Sequence, residues 1–322
     1  MSKKSLAILL AVYNPPRDWF AELLDSLNAQ TYPNLRLYVR DDASPKATAE
    51  EIRTMLAEHV TDFPWSYERN EKNLGSNKTF EALVRDASED YIAFCDQDDV
   101  WLPEKLENSV RLLEESPLSP TLVCANASVI DGDGRELAPV MEKHRRRHIF
   151  LRGKGLAREL FFRNFVIGCT IVASRDRILS YLPIPEVDDL VHDHYLAFRA
   201  ACDGAIDYLA TPQMRYRVYG GNQTGVMSGV ATKDDYYRLR IRVFADRLAL
   251  FSSFAPDSVD LSDVRAWCDA RERNFHREKG SFRALRRLRH CNQSTTLFEL
   301  VALRLPRPLF RLAVKAVQKR IV

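Results

Sequence analysis

The sequence predicts an α/β fold, a mostly parallel, doubly wound sheet with flanking helices, followed by a basic C-terminal helical region. Three observations carry this. Short apolar runs alternate with segments of helical periodicity over the first hundred residues, which is the pattern of βαβ units. The runs stop at polar or acidic residues, Tyr13-Asn14, Asp41-Asp42 and Asp96-Gln97-Asp98-Asp99, and right-handed crossovers bring such ends to one sheet edge. Beyond Lys233 the composition shifts to arginines interleaved with aliphatic residues. We therefore divide the chain into residues 1–230, the sheet domain, and 231–322, the basic helical region.

Ser5–Val12 is a near-continuous apolar run, as expected of a strand covered on both faces, and Tyr13-Asn14-Pro15-Pro16 stops it. Phe20, Leu23, Leu24 and Leu27 then mark a helix, and Leu35–Val39 a second strand. Residues 48–58 read as a helix, Trp65–Tyr67 as a short strand, and Thr79–Ala87 as a further helix. Tyr91–Cys95 is the next strand, and Pro103 is expected to open a helix with Leu102, Leu106, Val110 and Leu113 on its buried side. Residues 121–130 predict a strand and Asp131-Gly132-Asp133-Gly134 a tight turn rather than a calcium loop.

The 322 residues, 46% of them hydrophobic, can bury a substantial core. No apolar run approaches the ~18 residues of a membrane span, and Met1-Ser2-Lys3-Lys4 leads straight into the first strand, so a cytoplasmic location is expected. The six cysteines show no C-x-x-C pairing, which predicts neither disulfides nor zinc. Residues 271–322 hold fourteen Lys/Arg against three Glu, a net +11 that leaves −8 of the overall +3 for residues 1–270. A basic tail on an acidic body points to a polyanion, either a membrane or a nucleic acid.

Asp96, Asp98 and Asp99 share one turn. Three acids this close repel one another, and a cation is their natural partner. Oxygen ligands favour Mg²⁺ or Mn²⁺, held by few carboxylates together with substrate phosphates. A solvated acidic turn is the alternative for an isolated Asp-x-Asp.

Leu9-Leu-Ala-Val-Tyr-Asn14, Asp41-Asp-Ala-Ser44, Asn73-Leu-Gly-Ser-Asn77 and Cys95-Asp-Gln-Asp-Asp-Val-Trp101, in this order and spacing, resemble the nucleotide-sugar domain of family-two inverting glycosyltransferases with the GT-A fold. The resemblance continues through Asn164–Thr170, Val191–Tyr195 and Tyr216–Asn222, where it is closest to the bacterial rhamnosyltransferase-like branch. It implies a donor site in which Tyr13 and Asp42 grip the base, Asp96 meets the ribose or metal, and Asp98 holds the metal. Asn14, Asp41, Gly75 and Gly168 would line the same site, with Lys78 and Arg217 on phosphate oxygens. Asp193 would be the catalytic base. The implied partners are a nucleotide-sugar donor, dTDP-L-rhamnose by resemblance alone, and a glycan or lipid-linked acceptor of surface-polysaccharide assembly. Where that branch usually reads Tyr-Arg-x-His-Gly, this chain has Tyr219.

Other features stay open to two readings. Gly168 lies in the apolar run Phe165–Ala173, an ordinary core strand or a wall of the pocket, and a glycine there lets a ligand approach the backbone. Asp193 could equally cap a helix, and His192 and His194 beside it raise the idea of a metal site. Lys143–His148 is a basic cluster, facing solvent or acceptor phosphates. Arg307, Arg311, Lys315 and Lys319 recur every fourth residue opposite Leu309, Leu312, Ala313, Ala316 and Val317. We expect this helix, from about Leu309, to hold the protein on the anionic inner face of a membrane; no nucleic-acid reading motif accompanies it. A sugar nucleotidyltransferase would need a Gly-rich loop after the first strand, where this chain has Tyr13-Asn14-Pro15-Pro16.

Overall fold

A computed structural model describes residues 3–145, 148–219, 227 and 229–319, the last of these by its backbone. Arg146 and Arg147 of the basic cluster, Gly220, Gly221 and Asn222, and the Lys319 side chain lie outside the described residues. The chain forms two compact units. One comprises Met1–Leu156, Arg163–Pro185 and Val191–Tyr219; the other comprises Ala157–Phe162, Glu186–Leu190 and Gly220–Val322.

The first unit is built on a sheet whose strands are β1 (Leu6–Val12), β2 (Leu35–Asp41), β3 (Trp65–Arg69), β4 (Tyr91–Cys95), β5 (Val100–Trp101), β6 (Leu122–Ile130), β7 (Glu136–Ala138), β8 (Gly153–Lys154), β9 (Val172–Ser174) and β10 (Ala205–Arg217). Their order is β3-β2-β1-β4-β9-β6-β10-β5, with β7 on β6 and β8 on β10. β3, β2, β1 and β4 run parallel, as the alternating pattern requires. Six of the seven β1 residues are buried, so its continuous apolar run is what a strand covered on both faces demands. Helix Arg17–Asn28 buries Phe20, Leu23, Leu24 and Leu27, the expected stripe.

The sheet is mixed beyond β4. The run Phe165–Ala173 is not one strand: Gly168–Thr170 is a 3₁₀ turn, and β9 lies antiparallel to both β4 and β6. The helix expected from Thr79 begins at Ser76, behind Gly75 at φ +81°. The helix expected at Pro103 begins at Lys105. Before it, the Trp101 N–H donates to Ser26 Oγ at 3.0 Å and the Leu102 N–H to the Gln213 carbonyl at 3.0 Å. The first bond ties the segment to helix Arg17–Asn28 and the second to β10, on which Val100–Trp101 pairs as β5, while the Leu102 side chain stays exposed.

The second unit is helical. Tyr236, Ile241, Leu303, Phe310 and Val314 share its apolar cluster, beside a buried ion pair between Arg271 and Glu299 at 2.6 Å. The last helix runs Arg307–Lys319, starting two residues earlier than expected. Its inward residues are Phe310 and Val314, whereas Leu309 and Leu312 of the apolar stripe are exposed beside the exposed Arg311 and Lys315. Phe310 and Val314, one turn apart on the same face, pack into the cluster. Among the described residues no helix is long and apolar enough to cross a membrane.

Candidate active site

The carboxyl ends of β1, β2 and β4 meet at one edge of the sheet, as βαβ topology dictates. Gln97, in the acidic turn, joins two of them: its Oε1 accepts from the Tyr13 N–H at 2.7 Å and its Nε2 donates to the Tyr13 carbonyl at 2.9 Å. Tyr13 itself is 45% exposed, a ring open to a planar partner. Asn14, at φ +48°, accepts from the Lys46 N–H and donates its own N–H to Ser44 Oγ, so it shapes the loop after β2.

Asp41 and Asp42 lie at adjacent positions in different roles. Asp41 is fully buried and accepts from the Ser44 N–H and hydroxyl, the Tyr67 hydroxyl and Arg69. That network occupies its carboxylate and braces the loop after β2 from beneath the edge. Asp42 accepts from Asn70 Nδ2 at 2.8 Å and from the Leu74 and Gly75 N–H groups at 2.7 and 2.8 Å, which anchors the loop leading to Gly75. Lys78, in the first turn of the following helix, is about one-third exposed, 3.3 Å from Glu81.

The acidic turn is braced from below. Arg217, 1% exposed, donates from Nε to the Asp98 carbonyl at 2.9 Å and from Nη1 to the carbonyls of Asp131 and Gly132, and it pairs with Glu22. Its backbone N–H donates to Asp99 Oδ1 at 2.9 Å. A guanidinium so engaged fixes the turn. The Tyr219 hydroxyl donates to Asp98 Oδ2 at 2.8 Å. Lys105 is fully buried and donates to the Cys169 carbonyl at 2.7 Å.

Burial, reinforced by the charges of Asp98 and Asp193, pushes Asp96 up to about 7. Asp98 is raised by burial, against the Tyr219 hydrogen bond, and Asp99 is held well above the carboxylate range by burial and by Asp98 and Asp96. Burial lowers Lys105 to about 7, although the surrounding acids oppose the shift. Asp99 Oδ2 is buried with no hydrogen-bond partner, and oxygens of Asp96 and Asp99 lie within 4.8 Å of each other and of Cys169 Sγ. Crowded hard-oxygen donors that resist ionising together fit a divalent cation of the Mg²⁺ or Mn²⁺ kind.

Asp193 stands in the first turn of helix His192–Asp203, where the helix dipole favours a carboxylate. The His194 N–H donates to its Oδ1 at 2.6 Å. Burial raises Asp193 to about 6, opposed by hydrogen bonds from His194, Asn164 and Gly168. Gly168 is what permits this packing: a Cβ there would stand 3.2 Å from Asp193 Cβ, 3.2 Å from His192 Nε2 and 3.3 Å from Asp193 Oδ2. The close approach expected of a ligand at Gly168 is thus made by Asp193 itself. His192 is buried against both Phe80 and Phe94, which also touch each other, and burial lowers it to about 3; it is a neutral packing residue. His148, in the basic cluster, is likewise lowered to about 4 by burial and by Arg145, against the edge of Phe150.

The sequence model of the family described as Glycosyl transferase family 2 matches residues 7–179. The chain belongs to this family. The glycosyltransferase is 25% identical over 243 residues to a dTDP-rhamnosyl transferase, RfbG, of Shigella flexneri, covering 71% of this chain and 78% of that one. It is 31% identical over 112 residues to an uncharacterized glycosyltransferase of Haemophilus influenzae, 35% of the length of each. Among solved structures, S. aureus TarS 1-349 in complex with UDP-GlcNAc aligns with a TM-score of 0.60 at 15% identity, covering 98% of this chain and 92% of that one. The mannosyltransferase PcManGT of Pyrobaculum calidifontis, in complex with GDP-Man and Mn²⁺, aligns at 0.56 and 16% identity, covering 99% and 87%. The GT-A fold is therefore shared at low identity.

Proposed function

We propose that this glycosyltransferase moves a sugar, L-rhamnose from dTDP-L-rhamnose, with inversion onto a hydroxyl of a glycan or lipid-linked acceptor. One observation carries the chemistry: a buried carboxylate in the first turn of a helix, Asp193, stands close enough to the acidic turn for its charge to raise Asp96. The sugar rests on the rhamnosyl transferase relative.

Asp98 and Asp96 would hold Mg²⁺ or Mn²⁺, which when bound neutralises the charge that develops on a departing nucleoside diphosphate. A leaving group so neutralised departs without a proton, so one carboxylate suffices where glycosidases need two. Asp193, ionised above about pH 6, takes the proton from the acceptor hydroxyl, a task typically worth ~10²–10⁴ in rate. The His194 N–H holds its Oδ1, so the carboxylate is oriented before the acceptor arrives. Tyr13 presents its exposed ring to the nucleobase, and the Asp42-anchored loop places Lys78 at the same edge. Residues 231–322 would attach the enzyme to an anionic membrane surface through the last helix, where Leu309 and Leu312 stand exposed with Arg311 and Lys315.

The test is incubation with Mg²⁺ or Mn²⁺ and a panel of nucleotide sugars, reading thermal stabilisation and slow donor hydrolysis. Metal-dependent stabilisation by dTDP-L-rhamnose over UDP and GDP sugars is expected. A response to a UDP sugar alone would refute the rhamnosyl assignment, and metal-independent binding of every donor would refute the role of the acidic turn.

A further inference from the structure

Asp263, His290 and Cys291 belong to the helical unit and take no part in the proposed transfer. We propose that these three side chains form a binding site for a transition-metal cation, zinc foremost, with one coordination position left to solvent. Their donor atoms already stand at the spacing such an ion imposes. His290 Nε2 is 3.4 Å from Asp263 Oδ2, Cys291 Sγ is 3.6 Å from the same oxygen, and Sγ is 3.6 Å from His290 Nε2. A tetrahedral zinc ion, bonded at about 2.0 Å to nitrogen and oxygen and about 2.3 Å to sulfur, separates its ligands by about 3.3–3.6 Å. Each edge of the triangle matches, so an ion is received without backbone movement.

The donor set selects the metal. One thiolate and one imidazole beside a single carboxylate favour zinc and its neighbours over magnesium or calcium, which take oxygen ligands. On binding, the Cys291 thiol proton leaves to solvent and the sulfur lone pair goes to the metal. Arg158 Nη2 donates to Asp263 Oδ2 at 2.5 Å, the kind of outer hydrogen bond that orients a metal-bound carboxylate. Cys291 is 8% exposed whereas the His290 side chain is 59% exposed, so the ion has an entry from solvent on the histidine side, where the fourth position would hold water.

The ligands come from two places in the chain. Asp263 lies in the first turn of helix Ser262–Phe275, and His290 ends the 3₁₀ turn Leu288–His290 that leads through Cys291 to helix Gln293–Ala302. A bound ion would clip these segments together and stabilise the folded state by mass action. No pair of closely spaced cysteines announces such a site, which is why the sequence predicts no zinc.

The test uses the full-length protein loaded with Co²⁺ and dialysed, since cobalt occupies zinc sites and gives a thiolate-to-metal charge-transfer band. One equivalent with that band and a raised Tm are expected, and Zn²⁺ should displace it. Cys291→Ala should abolish the band. His290→Gln, at an exposed position, should weaken affinity by at least about tenfold, while Asp98→Asn should leave the band intact. A wild-type protein without the band overturns the proposal, as does a band that survives Cys291→Ala. A band lost in Cys169→Ala and kept in Cys291→Ala would place the cobalt at the acidic turn and overturn it equally.

Discussion

Gly168→Ala tests the placement of the base without altering any ionisable group. Gly168 is not among the residues at positive φ, so its backbone admits alanine and the effect is steric. The new methyl carbon would meet Asp193 Cβ and His192 Nε2 at 3.2 Å and Asp193 Oδ2 at 3.3 Å, where relaxed carbon contacts lie at about 3.5–4.0 Å. Neither neighbour yields easily: the His192 ring is buried against the Phe80 and Phe94 rings, and Asp193 is set in a helix turn. Overpacking of this kind costs about 1–3 kcal/mol, hence a few degrees in Tm. A displacement of ~1 Å in a reacting group costs up to ~10²-fold in rate. The overlap here is some tenths of an ångström, so kcat should fall by roughly 3- to 10-fold. Steady-state transfer kinetics, with calorimetry of the nucleotide, separate chemistry from donor binding. Wild-type kcat in Gly168→Ala would refute the reasoning, as would a loss of donor affinity equal to the loss of rate.

Asp98→Asn should abolish metal-linked donor binding while keeping the shape of the turn, measured by calorimetry of the nucleoside diphosphate with and without Mn²⁺. Asp193→Asn should lower turnover by at least about a hundredfold with donor affinity nearly intact; because the base acts ionised and its pKa is raised to about 6, wild-type rate should fall as pH drops through about 6 and level off above it. Tyr219→Phe removes a hydrogen bond that favours the ionised form of Asp98, so a metal titration of donor binding should show ~10- to 100-fold weaker Mn²⁺ affinity. Arg311→Glu with Lys315→Glu changes exposed positions only and should reduce flotation with anionic liposomes at low salt by at least about tenfold; unchanged flotation would leave this helix a packing element alone.

The parallel half of the sheet was legible because β1 and β4 are short, wholly apolar runs, the first stopped by Tyr13-Asn14-Pro15-Pro16 and the second by acids, a pattern with few other solutions. β5 was not legible: two residues are held between helix Arg17–Asn28, through the Trp101 N–H on Ser26, and β10, through the Leu102 N–H on Gln213, both partners more than seventy residues away. The same holds for the candidate site. Asp96, Asp98 and Asp193 stand out as residue types, but only the fold shows that Asp41 is enclosed by Ser44, Tyr67 and Arg69, or that Arg217 is directed at carbonyls. Gln97 was visible only as a spacer between acids, although both ends of its amide bind the Tyr13 backbone. Lys105 carried one available signal, four residues before Ser109 on the buried side of its helix, but no periodicity rule places a lysine inward.

These missed residues explain how a turn with three raised carboxylates keeps its shape. Each acid is disfavoured in its ionised form by burial, so an unsupported turn would relax toward solvent and lose the arrangement a cation needs. The restraints act mainly on its backbone and rim: Arg217 on the Asp98 carbonyl, the Arg217 N–H on Asp99, Tyr219 on one Asp98 oxygen, and Gln97 on the end of β1. Lys105 adds a compensating charge from beneath without bonding the acids, since its ammonium donates to the Cys169 carbonyl. It can therefore offset the repulsion while leaving carboxylate oxygens available. Tyr219, where the resemblance in sequence leads one to expect histidine, fits the same logic: a phenol whose pKa is raised by burial and by Asp98 stays neutral and keeps its proton on the hydrogen bond, so it orients Asp98 without bringing a positive charge that would compete with a cation.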